Sequence, residues 1–130
     1  MEFDIDRTVK YWLSGARYDI KTAVTLLIGK RYPYALFFGH LALEKVLKAL
    51  VVKETNKHAP HTHSLPLLAS KLSREIPENV KKQLAAFMEF YIEGRYPEER
   101  NKFYRKCTKN FTQQKLDEIR EVFKWLARQL

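Results

Sequence analysis

Apolar residues recur along this chain with a period near 3.6, and no useful window alternates with a period of two. The pattern therefore predicts helices and no sheet. Trp12, Ala16, Asp19, Ala23 and Leu27 share one face of a first helix, expected over residues 6–27 with Asp6 as its N-cap. Gly29-Lys30-Arg31-Tyr32-Pro33 ends it, with glycine just past the end and proline to open the next helix. That second helix is expected over residues 33–54. Leu36, Leu43, Leu47, Leu50 and Val51 form its core face, and further apolar residues around its circumference make it the central, most buried helix. A loop follows over residues 55–63. Ser64 caps a short helix over residues 65–73, where Pro66 is tolerated in the first turn. Pro77 opens a helix expected to end near Gly94, with Val80, Leu84, Phe87, Met88 and Tyr91 inward. The last helix, from Thr112, carries Leu116, Ile119, Phe123, Leu126 and Leu130.

These elements imply an all-α, antiparallel, up-and-down four-helix bundle with one short extra helix, as one domain over residues 1–130. The stretch between Gly94 and Thr112 is long for a bundle connection, and such connections often carry function. The longest apolar run, residues 34–52, is interrupted by His40, Glu44, Lys45 and Lys48, which excludes a membrane span. The lone Cys107 and an acidic start without an apolar signal-peptide core fit a cytoplasmic protein.

Charge adds a class of partner. Lys plus Arg number 24 against 15 Asp plus Glu, a formal net charge of +9. A field of that sign attracts RNA, nucleotides or an acidic protein, or it serves solubility alone.

Three groups of residues are candidates for chemistry. His40, Glu44 and Lys48 stand at i, i+4 and i+8 on the apolar second helix, with Lys45 beside them. Asp19 falls on the core face of the first helix, and a carboxylate there needs a cation. Lys48 or Lys45 is the partner an antiparallel pairing offers. The set either fixes helix register or floors a polar groove. His58, His61 and His63 lie close in sequence, but no cysteine pair accompanies them, so neither a metal nor any other cofactor is expected. His63 instead fixes the loop before the short helix.

The third group is Tyr91-Ile92-Glu93-Gly94-Arg95-Tyr96-Pro97. Gly94 suits a helix C-cap and Arg95 a helix end, where the dipole favours a cation. Alternatively, Arg95 grips a phosphate and Tyr96 stacks a base. Arg100, Lys102, Arg105 and Lys106 continue the basic segment among Phe103 and Tyr104, a mixture suited to single-stranded nucleic acid.

In this order the groups resemble the HEPN family, the nucleotide-binding domains of higher eukaryotes and prokaryotes. The resemblance rests on Trp12, Ala16 and Asp19, on the second helix centred on Glu44-Lys45 and Lys48, on Thr62-His63-Ser64-Leu65, and on the segment ending Arg95-Tyr96-Pro97. It implies a helical bundle, a homodimer and a minimal nucleotidyltransferase as partner, in some cases as a toxin–antitoxin pair. The domain would then bind a nucleotide or RNA, with Arg95 and Tyr96 on the ligand and Asp19, His40, Glu44, Lys48 and His63 shaping the groove. Many family members are metal-independent endoribonucleases that use an Arg followed by four to six residues and then His. Here no histidine follows His63, and Arg105 stands where one would be needed after Arg100. A guanidinium cannot take a proton from a ribose hydroxyl. A binding domain is therefore the leading expectation, with a ribonuclease toxin and a protein-interaction module as alternatives.

Overall fold

A computed structural model describes residues 3–130, which fold as an all-α helical bundle. The first helix, α1 (Ile5–Ile28), starts one residue earlier than its pattern suggests. Asp4, not Asp6, is the N-cap, and its carboxylate accepts from the Arg7 amide at 3.0 Å. At the other end the left-handed residue is Lys30, with φ of 62°, while Gly29 stays at φ −78°. The Lys30 and Arg31 amides return to the Leu27 and Leu26 carbonyls, closing the helix in the manner of a Schellman motif. Glycine was the expected residue for that turn. Lys30 takes it because α1 runs one residue past Leu27, which moves the reversal to the next exposed position.

The second helix, α2 (Tyr32–Thr55), packs antiparallel along the whole of α1 and also against the last helix. It is the buried centre of the bundle. Leu36, Leu43, Leu47 and Leu50 have no exposure, and His40, Glu44 and Lys48 are buried among them. Gly39 sets the approach to the last helix: a Cβ there would lie 2.9 Å from Ile119 Cδ1.

The short α3 (Leu65–Ser70) is capped by Ser64, whose hydroxyl accepts from the Leu67 amide. The helix expected to run to Gly94 is instead α4 (Glu78–Ala86) followed by a 3₁₀ turn at Phe87–Phe90. Phe87, Phe90 and Ile92 are all buried. Their spacing of three and then two does not follow one α-helical stripe, so the backbone tightens and then extends at Tyr91 to turn all three inward.

The basic segment read as a long connection contains a helix, α5 (Pro97–Lys106). Pro97 opens it, Glu98 and Glu99 sit at its positive end, and Arg105 and Lys106 at its negative end. It buries one residue, Phe103, which gives no apolar period to read. The final helix, α6 (Lys109–Ala127), starts at a Thr108 cap, so Thr112 lies inside it, fully buried.

Candidate functional site

Glu44 is the centre around which the polar residues of the interior arrange themselves. One carboxylate oxygen accepts from Lys48 Nζ at 3.0 Å and the other from His63 Nδ1 at 2.9 Å. His40 Nε2 lies 3.7 Å from that second oxygen and donates to the His63 carbonyl at 3.0 Å. Burial opposes the charged form of Glu44. The polar contacts from His40, Lys48 and His63, with the positive charge of Lys48, outweigh it and hold the carboxyl at about 2. Lys48 Nζ also lies 5.0 Å from the centre of the Trp12 ring.

These bonds fix the imidazoles. A carbonyl only accepts, so His40 carries its proton on Nε2, and its buried Nδ1 has no partner among the described residues. An ionised Glu44 also only accepts, so His63 carries a proton on Nδ1. Its other nitrogen belongs to a side chain that is 55% exposed.

Asp19 pairs with Lys45 at 2.7 Å, which settles its two candidate partners. The antiparallel register brings Lys45 over Gly15 and Asp19, one turn of α1 apart, while Lys48 is engaged by Glu44.

Tyr91 joins this centre to Arg95. Its ring stacks on His63 at 4.5 Å, and its carbonyl accepts from Arg95 Nε at 2.9 Å. Arg95 Nη2 donates to the Met88 carbonyl at 3.2 Å. Arg95 thus caps the Tyr91 carbonyl and shares the Met88 carbonyl with the Tyr91 amide, and it does so by folding back past Gly94, whose φ is +77°. Gly94 serves the turn that reverses the chain and not the C-cap of a helix. Tyr96 turns away and is 76% exposed.

The structure brings Glu44, His40, His63 and Lys48 together, and ties Arg95 to them through the backbone of Tyr91. It does not bring the cations of α5 to them as one cluster. Arg100 donates to the Tyr104 hydroxyl at 3.4 Å. A hydrogen bond from Tyr34, together with the Arg100 charge, lowers the Tyr104 hydroxyl from its ordinary value. Lys106 lies 2.9 Å from both carboxylate oxygens of Glu89. Lys102 and Arg105 are exposed and form no salt bridge among the described residues. Burial pushes the Cys107 thiol up to about 12, so it is no nucleophile at neutral pH. His58 packs on Phe3, apart from His63. Among the described residues, no three His, Cys, Asp or Glu side chains are grouped to hold a metal ion, and no helix is long and apolar enough to cross a membrane.

The family model for the HEPN domain matches residues 9–130. The chain belongs to the HEPN family. Its fold is that of the crystal structure of TT1696 from Thermus thermophilus, with a TM-score of 0.79 over 94% of this chain and 98% of that one. Identity between the two is 23%, so the likeness speaks for the fold alone. No curated protein matches the chain significantly in sequence.

In this HEPN domain two features escaped the reading of its sequence. Trp12 and Tyr91 looked like core residues, yet one covers Lys48 and the other links His63 to Arg95. The outward face of α1 also went unread. Arg7, Lys10, Tyr11, Arg17, Tyr18 and Lys21 fall on it at helical spacing and all are exposed. Following the polar positions of α1, as well as its apolar ones, would have found it.

Proposed function

We propose that this HEPN domain binds a nucleotide or RNA at the surface formed by His63, Tyr91 and Arg95. The reading rests on the half-exposed His63 ring, held between the Glu44 carboxylate and the face of Tyr91, whose backbone carbonyl in turn holds Arg95. Lys48 and His40 complete the shell of Glu44, so the imidazole is positioned before any ligand arrives. Arg95 uses two of its five N–H donors on backbone carbonyls, which leaves three for a phosphate. The segment that follows adds an exposed ring, Tyr96, and two exposed cations, Lys102 and Arg105, for a longer ligand. In this reading the domain acts as a homodimer beside a minimal nucleotidyltransferase, in the manner of a toxin–antitoxin pair.

Binding of ATP, GTP and short single-stranded RNA, measured calorimetrically at low salt, tests the site. Arg95→Ala and His63→Ala should each weaken it about tenfold or more, as charge-assisted contacts are lost. Binding that is absent in the parent protein, or unchanged in both variants, sinks the reading. Light scattering tests the dimer, and co-purification with the product of a neighbouring nucleotidyltransferase gene tests the partner.

The Glu44–His63 contact favours a second reading, metal-independent RNA cleavage. A carboxylate on Nδ1 orients an imidazole for proton transfer at its other nitrogen, the role that the missing late histidine would fill. Cleavage of RNA in excess EDTA that disappears in His63→Ala would establish it, and intact RNA would end it.

A further inference from the structure

The outward face of α1 has no part in the bundle. Arg7, Lys10, Arg17 and Lys21 lie on it, all exposed, and none forms a salt bridge among the described residues. Tyr11 and Tyr18 stand between them, 69% and 75% exposed. Of the acids of α1, Asp19 is buried against Lys45, and Asp6, one turn before Lys10 at the start of the strip, forms no salt bridge among the described residues. A groove of about 600 Å³ opens between this face and α2, walled by Tyr11, Trp12, Tyr18 and Lys45. A second groove, of about 480 Å³, runs along the other flank of the same helix.

We infer that this face is a track for single-stranded nucleic acid, with phosphates over the four cations and bases against Tyr11 and Tyr18. The two rings are seven residues apart, two turns or about 10 Å along the axis, too far to share one base. Cations flank each ring, so phosphate and base are met alternately, as a single strand presents them. Tyr11 also packs edge-on against Trp12 at 5.2 Å, which extends its aromatic surface into the groove. Trp12 in turn covers Lys48, the partner of Glu44, so the track and the His63 site share a wall. The inference rests on the proposed nucleotide or RNA reading and lengthens its footprint.

Other occupants fit less well. A second copy of the chain would set like charges against each other. A membrane surface would call for several large apolar residues, where this face has tyrosine and serine between its cations and one exposed Ile28 at its end. An acidic protein satisfies the cations and leaves the spacing of the rings without a purpose.

Fluorescence anisotropy with a labelled oligouridylate at low salt tests the track in the full chain. Tyr11→Ala with Tyr18→Ala should weaken binding by at least ~20-fold, since each stacked base contributes about fivefold or more. Arg17→Glu with Lys21→Glu should weaken it further and flatten its dependence on salt. All four side chains are exposed, and unchanged circular dichroism verifies the fold. Oligouridylate affinity within twofold of the parent in both variants overturns the inference. So does polyglutamate binding as tight as oligouridylate and indifferent to the tyrosines, which would assign the face to an acidic protein. ATP binding by Arg95→Ala reads the other site separately. Loss of ATP binding there, with oligouridylate unaffected by the α1 variants, ends the track and leaves the proposed function standing. Oligouridylate binding that needs α1, with no ATP binding to lose, does the reverse.

Discussion

Glu44 on α2 and Arg105 on α5 are both charged residues in segments marked by the sequence as candidates for chemistry, and the fold treats them oppositely. Glu44 is 4% exposed, with Lys48, His63 and His40 arranged around its two oxygens. Arg105 is exposed and forms no salt bridge among the described residues. A charge inside a bundle survives only with a full set of partners, so the α2 group is tied to stability whatever else it does. The cations of α5 can be changed with little effect on folding and are free to answer to a ligand. The largest test of the difference is Glu44→Ala. It leaves Lys48 buried without its carboxylate and should cost about 3–5 kcal/mol in urea unfolding. Lys102→Ala and Arg105→Ala should stay within about 0.5 kcal/mol of the parent. Equal losses in the two regions would erase the contrast.

Acid attacks the same centre without mutation. The Glu44 carboxyl is held at about 2 against an ordinary 4.5, so the folded state binds its proton more weakly than the unfolded state does. Its contribution is complete above about pH 4.5 and is lost as pH falls toward 2. It amounts to about 3 kcal/mol. Urea midpoints measured between pH 6 and pH 2.5 should fall mainly below pH 4.5 in the parent. They should fall less steeply in Glu44→Gln, which has no proton to take up. Parallel curves for the two proteins would show that other carboxylates govern acid unfolding.

Arg95 lies between these extremes. Its guanidinium is half-buried, and it is tied to backbone and not to a carboxylate. Arg95→Ala should therefore cost about 1–2 kcal/mol, for two carbonyl contacts, beyond any effect on a ligand. Arg95→Lys keeps the charge but not the fork, so it should recover part of ligand affinity and little of the stability. If Arg95→Ala leaves stability unchanged, the turn does not depend on the arginine, and its role belongs wholly to binding.

The legible part of the molecule was the part governed by one helical period. The α1 and α2 stripes gave both helices to within a residue or two, the antiparallel pairing and the burial of His40, Glu44 and Lys48. The Asp19 pairing stayed open between Lys45 and Lys48, because spacing alone cannot say which cation Glu44 already holds. Residues 87–106 were misread for a different reason. Phe87, Phe90 and Ile92 reach the core by a change of backbone geometry, and α5 offers Phe103 as its one buried residue. Periodicity has no signal for either. The candidate site was legible in its residues and not in its bonds: His63 and Arg95 were named, but Tyr91 between them was read as core.

Gly94 gives the sharpest control. Its φ of +77° is costly for any residue with a Cβ, yet a Cβ built there would meet nothing within 4 Å. Gly94→Ala therefore adds no clash, and its expected loss of about 1 kcal/mol is purely conformational. The turn it strains is the one that folds Arg95 back onto Tyr91 and Met88. If positioning of Arg95 matters to a bound phosphate, Gly94→Ala should weaken nucleotide binding while every contacting side chain remains. A loss of stability with unchanged affinity would place the ligand elsewhere and leave Arg95 as a cap. An unchanged stability would mean that the left-handed turn is not kept in solution, and the contrast between a fixed centre and a reversible edge would have to be redrawn at residue 94.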